Sequence, residues 1–158
     1  MGKEIEKKFL LKNELWRLSV KNGVNFIQGY LSCNKDRTVR VRVVEKNGFL
    51  TIKGRAFNGI REEYEYEIPV EDAKAMIETL CIKPVIKKKR YKIDYKGLNW
   101  EVDEFFGENK GLILAEIELE SIDQVFKKPD WIGREVTKEP KYYNSNLVDH
   151  SYINWKRS

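Results

Sequence analysis

The chain has 158 residues, of which 35% are charged and 41% hydrophobic, and it carries a formal net charge of +5. That length suits one domain spanning 1–158 with a core of its own, and it excludes a small scaffold dependent on staples. The two cysteines, Cys33 and Cys81, lack CxxC spacing, which argues against a disulfide framework or a zinc site, and a single histidine, His150, argues against histidine chemistry.

In chain order, the first predicted element is a strand over 3–11, in which Glu4, Glu6 and Lys8 alternate with Ile5, Phe9 and Leu11. In an extended chain each set shares a face, with successive members about 6.6 Å apart. Period-two patterning recurs at 25–33, 37–45, 49–55, 62–68, 85–95, 98–106 and 112–120, with turns at "KNG" (46–48) and "KGLN" (96–99). Eight strands follow. Between the fifth and sixth, "PVEDAKAMIETLC" predicts a helix starting at Pro69, with Glu71 and Asp72 in its first turn. Its apolar face would carry Val70, Ala73, Ile77 and Leu80. Beyond the last strand, "SIDQVFKK" (121–128) predicts a short helix stopped by Pro129, and 139–150 a further helix containing Tyr143 and Leu147. Charges from Lys3 onward interrupt any signal-peptide core, and no apolar run is long enough to span a bilayer, so the expected location is the cytoplasm.

Sorting the side chains by parity separates apolar rows such as Val39/Val41/Val43 and Ile113/Ala115/Ile117/Leu119 from charged ones. Each charged row has a dominant sign. Acids recur at Glu4/Glu6, Glu63/Glu65/Glu67, Glu101/Asp103 and Glu116/Glu118/Glu120, and bases at Arg40/Arg42, Lys53/Arg55 and Lys88/Arg90/Lys92. An open antiparallel sheet with one solvated face is the plain alternative, but such a face usually mixes signs. Eight strands also suffice to close a barrel and remove its edges. The predicted fold is therefore α+β and mostly β: a closed eight-stranded antiparallel barrel with a charged interior and helices packed outside.

A charged lining requires counter-charge, since two unit charges 4 Å apart interact by about 4 kcal/mol at an effective dielectric near 20. Glu4, Glu6, Glu116 and Glu118 supply hard oxygen ligands suited to Mg²⁺ or Mn²⁺, although salt bridges across the barrel would satisfy them equally. Lys8, Arg40, Arg42, Lys53, Lys88 and Arg90 form the complementary set, a clamp for phosphate oxygens. Within "VIKKKRYKI" parity selects Lys88 and Arg90 for the lining and leaves Lys87 and Lys89 outside. Cations and arginines together favour phosphoryl transfer, in which a metal-activated water oriented by a glutamate attacks phosphorus and no histidine is needed.

These residues resemble a known family. Glu4-Ile-Glu6-Lys-Lys8 is similar to the ExExK signature of the CYTH superfamily, the triphosphate tunnel metalloenzymes. The resemblance extends through "GYL" (29–31), "RVR" (40–42), "TIKG" (51–54), "REEYEYEIP" (61–69), "KKRY" (88–91), "WEVDEF" (100–105), "LAEIELE" (114–120), "WIGREVT" and "YYNSNL". It implies an eight-stranded tunnel, a catalytic metal on Glu4, Glu6, Glu116 and Glu118, and a triphosphate held by Lys8, Arg40, Arg42, Lys53, Lys88 and Arg90. Glu63, Glu65, Asp103 and Glu120 are implied as further acidic lining or a second cation site. One departure is Lys87, where relatives often carry an acid, but parity turns it outward. The C-terminal segment looks like the helix that plugs one tunnel end in compact bacterial members, with Tyr142 and Asn144 structural.

The implied activity is hydrolysis of the terminal phosphate of inorganic tripolyphosphate, with weaker action on nucleoside triphosphates. A class IV-type adenylate cyclase and a thiamine triphosphatase share the clamp and stand as alternatives, and a non-catalytic polyphosphate- or RNA-binding module is the alternative of another class. The expected partner is a small-molecule triphosphate, with no nucleic acid and no membrane.

Overall fold

The computed structural model describes residues 2–155; the ends of the predicted 1–158 domain, Met1 and 156–158, lie outside the described residues. Strands β1 (Gly2–Glu4), β2 (Glu6–Leu11), β3 (Val24–Asn34), β4 (Arg37–Val44), β5 (Asn47–Gly54) and β6 (Arg61–Ile68) precede helix α1 (Val70–Thr79). Then come β7 (Ile82–Tyr95), β8 (Leu98–Phe106), β9 (Ile113–Glu118), β10 (Ile132–Glu135) and helix α2 (Asn144–Asp149). Every predicted strand is present. All ten observed strands belong to one antiparallel sheet in the order β1-β6-β5-β4-β3-β7-β8-β9-β2-β10.

The expectation of a closed eight-stranded barrel is corrected in two respects. The first predicted strand is broken at Ile5, because β1 pairs with β6 (Glu4 opposite Arg61) while β2 pairs with β9 (Glu6 opposite Glu118). A further short strand, β10, pairs with the other side of β2. Hydrogen bonds do not close the ladder, whose outer members are β1 and β10. The wall is instead joined covalently, since one stretch of chain passes from the β6 side to the β9 side through Ile5, whose carbonyl accepts from Leu119 N at 2.8 Å.

Outside the sheet lie two apolar clusters. Phe9, Trp100, Val102, Ala115 and Ile117 pack under Trp16 and Trp131, with Phe126 alongside. The predicted helix 121–128 is absent: this stretch is a turn followed by irregular chain. Its Phe126 ring sits edge-on to Phe9 and Trp100, so covering the wall outweighs the weak local preference for helix. The second cluster places Ala73 and Ile77 of α1 on Val41 and Val43 of β4. Gly48 permits this approach, since a Cβ there would lie 2.8 Å from that of Ala73. Leu80, expected on the buried face, is instead 65% exposed, because the helix ends at Thr79.

The inner rows change character along their length. Towards one end they are apolar: Tyr30, Ile86, Phe105 and Leu114 pack with Tyr142, Leu147 and Val148 of the C-terminal segment. The predicted helix over 139–150 is a 3₁₀ turn at Pro140–Tyr142 followed by the six residues of α2. This segment fills the apolar end.

Candidate active site

Beyond the apolar layer, the inner rows enclose a cavity of about 680 Å³. Its lining includes Glu4, Glu6, Lys8, Arg40, Arg42, Lys53, Glu63, Glu65, Lys88, Arg90, Glu116 and Glu118. Strand registry explains the convergence, since Lys8 lies opposite Glu116, Arg90 opposite Asp103, and Lys53 opposite Glu63, and cross-strand partners share a face.

Two predicted residues are placed differently. Asp103 does not line the cavity; it is fully buried behind it, with Oδ2 2.8 Å from Lys88 Nζ and Oδ1 2.7 Å from Arg90 Nε. Arg90 and Lys88 together hold Asp103 below the usual carboxylate range although burial opposes this. Glu120 is exposed and outside, because β9 stops at Glu118 and the chain bends there.

The bases fall into three groups. Arg40 and Arg42 each direct a guanidinium nitrogen to one oxygen of Glu65, at 3.3 Å, and Thr51 donates to the same oxygen at 2.7 Å. The Nε of each arginine is buried without a partner. Lys53 Nζ lies 3.0 Å from Glu4 Oε1 and 3.5 Å from Glu63. Lys8 and Lys88 are deepest; Lys8 donates to the Tyr142 carbonyl at 3.2 Å, and Lys88 to Asn144 Oδ1 at 3.3 Å. Phe26 orients three of these cations, with Arg42 and Arg90 Cζ each 4.9 Å and Lys88 Nζ 5.7 Å from its ring centre.

Burial and cationic neighbours shape the protonation of this half. Lys88 is lowered to about 8, chiefly by burial and further by Arg90, against the pull of Asp103. Arg42 is lowered to about 10 by burial, Arg40 and Arg90.

The acids show the opposite tension. Burial, the carboxylate of Glu116 and Glu4 push Glu6 well above the usual carboxylate range. Burial opposes ionisation of Glu116, but Lys8, a hydrogen bond from Glu6, and Arg90 keep it well below that range. Glu118 is raised by burial and by Glu4, Glu63 and Glu101, and Glu63 by burial and Glu4. Among the described residues no three acids, cysteines or histidines are arranged to hold a metal ion as they stand. The reason is visible: Lys53 occupies Glu4, and Arg90 and Glu6 occupy Glu116.

Sequence reasoning placed Glu101 in a charged row without giving it a role, and it left out Arg61, Tyr30, Tyr143 and Asn144 as lining residues. Parity could have found Arg61, because it shares a face with Glu63. Arg61 donates to the Gly54 carbonyl at 2.7 Å and to Thr38 Oγ1 at 3.2 Å, while Glu101 lies 3.3 Å from Arg90 Nη1. Tyr143 and Asn144 carry no periodic signal, since they enter from the junction at the start of α2.

A sheet rolled around opposed basic and acidic arcs, blocked at one end by the C-terminal segment, defines a tunnel-type anion-binding fold. The chain belongs to the CYTH family, whose domain matches residues 2–152. It is 56% identical over 156 residues, 99% of each chain, to an inorganic triphosphatase of Acetivibrio thermocellus. An inorganic triphosphatase of Nitrosomonas europaea is 34% identical over 154 residues, 92% of this chain and 96% of its own length. A crystal structure of an inorganic triphosphatase superposes with a TM-score of 0.64 at 31% identity, covering 91% of this chain and 96% of its own.

Proposed function

We propose that this protein is a divalent-metal-dependent triphosphatase that removes the terminal phosphate of inorganic tripolyphosphate and acts more weakly on nucleoside triphosphates. The observation that carries this reading is the single cavity in which Lys8, Arg40, Arg42, Lys53, Lys88 and Arg90 face Glu4, Glu6, Glu116 and Glu118. The names of the two curated relatives point the same way.

The bases bind and orient the substrate. Arg40 and Arg42 share one carboxylate oxygen and have buried Nε–H donors without acceptors, so phosphate oxygens complete a coordination that Glu65 alone leaves short. Lys8 and Lys88 add positive charge at the deep end, where low dielectric strengthens each contact. Glu4, Glu6, Glu116 and Glu118 would hold Mg²⁺ or Mn²⁺. The donor set fits such an ion, being oxygen only and gathered on one side of the cavity. A bound divalent ion supplies Lewis-acid neutralisation of the charge that develops on phosphoryl oxygens.

Lys53 now pairs with Glu4 at 3.0 Å, and it would be free to turn to the substrate where Glu4 served such an ion. The wall of apolar side chains excludes water laterally, and the C-terminal segment excludes it from one end.

Phosphate release from tripolyphosphate, ATP and thiamine triphosphate, each with magnesium or manganese, tests the reading. The expected result is fastest release from tripolyphosphate. Cyclic nucleotide as the product from ATP would establish the cyclase instead, and tight binding without turnover would establish a binding module.

A further inference from the structure

Asn144, at the start of α2, hydrogen-bonds a deep cation of the cavity through its side chain, beside Tyr143, whose ring centre lies 6.0 Å from Lys8 Nζ. Its Oδ1 accepts from Lys88 Nζ at 3.3 Å and from Gln28 Nε2 at 3.2 Å. The identity of that atom is fixed by chemistry, because an ammonium only donates and the atom facing it must be the amide oxygen. Gln28 is fully buried, and it is held in turn by its own place on β3 opposite Arg42. Two donors therefore meet at the Oδ1 of Asn144, and the Nδ2 of the same amide is the donor that the side chain has to offer. The residue itself lines the cavity.

We propose that Asn144 is a substrate-contacting residue: its Oδ1 holds Lys88 while its Nδ2 donates to the phosphate that lies at the closed end of the cavity. The inference rests on the reading of the cavity as a triphosphate site. A neutral amide suits that position. Lys8, Arg40, Arg42, Lys88 and Arg90 already supply charge, whereas a directional donor fixes where an anion stops. The blocking segment then does more than fill space, because it reads the end of the bound chain.

A merely positional role, in which Asn144 acts only through Lys88, gives a different answer in a double-mutant cycle. Binding of inorganic tripolyphosphate would be measured by calorimetry on wild type, Asn144→Ala, Lys88→Met and the double variant, alongside tripolyphosphate turnover of the wild type. Asn144→Ala is expected to weaken binding about tenfold, the worth of one hydrogen bond to a charged group. It should weaken binding again, by about fivefold or more, in the Lys88→Met background. No further weakening in that background overturns the proposal while leaving the triphosphate site intact. A wild type that neither binds nor hydrolyses tripolyphosphate overturns the site reading and the proposal with it. Should the double variant fail to fold, Asn144→Leu, of similar size and without a donor, replaces Asn144→Ala in the Lys88→Met background with the same expectation, and thermal unfolding reports which variants qualify.

Discussion

Lys88 and Asp103 form an ion pair of 2.8 Å in which the two side chains are only 2% and 1% exposed. Asp103 also takes both forks of Arg90, at 2.7 and 2.9 Å, so one carboxylate behind the cavity wall fixes two cations that point into it. Such a carboxylate would position the proposed phosphate clamp without belonging to it.

Asp103→Asn is therefore expected to cost stability as well as affinity. Breaking a buried pair leaves uncompensated charge, which amounts to roughly 3 kcal/mol. Chemical denaturation should show a loss of that order. Tripolyphosphate should restore part of it, since the anion supplies the missing negative charge; a variant as stable as the wild type would contradict the assignment.

The lowered proton affinity of Lys88 sets an alkaline limit. Its pKa in the fold is about 8 against an ordinary 10.5, so between those values the unfolded chain holds a proton that the folded chain has lost, and this group makes the fold more stable as pH rises. Anion binding responds in the opposite sense, because the cation is lost above about pH 8. Tripolyphosphate should bind with uptake of protons near that pH, measurable by calorimetry in buffers of different ionisation enthalpy. Lys88→Arg should abolish the uptake and extend binding to higher pH.

Glu118 is raised by burial and by Glu4, Glu63 and Glu101, and a carboxylate raised above its unfolded value weakens the fold as pH increases. Glu118→Gln should consequently raise the metal-free melting temperature at neutral pH. The same substitution should remove the stabilisation conferred by magnesium or manganese and reduce turnover by two or more orders of magnitude. Thermal unfolding with and without the ion separates these effects, and unaltered metal-dependent stabilisation would contradict a metal role.

Glu65 joins Arg40 and Arg42 through a single oxygen. Glu65→Gln leaves the two guanidiniums to repel one another, so the ligand-free protein should melt lower and tripolyphosphate should stabilise it more than it does the wild type. A smaller thermal shift than in the wild type would show that Glu65 helps the substrate to bind and does not compete with it.

Alternation made most of the wall legible in the sequence. Because a strand has a period of two, the choice of Lys88 and Arg90 over Lys87 and Lys89 followed from position alone, and Lys89 indeed pairs with the outward Glu104. What alternation does not contain is partner choice. The pattern runs unbroken through Ile5, yet the chain exchanges β6 for β9 there, a decision made by the rest of the sheet. Residues 121–128 carry a helix-like composition, but Phe126 is recruited to the outer cluster. Glu120 continues a row on paper that the bend after β9 terminates. Asn144 and Tyr143 reach the cavity from the first residues of a short helix and its cap, where no periodicity announces an inward residue.

The break at Ile5 also bears on when the protein acquires its chemistry. Glu4 and Glu6 stand far ahead in the chain of the strands that seat β2, which come from 113–118 and 132–135. Contacts so distant along the chain form late, since the loop between them must first be closed. Newly made polypeptide thus carries Glu6 unseated until synthesis has passed the tenth strand, and the cavity takes shape late in folding.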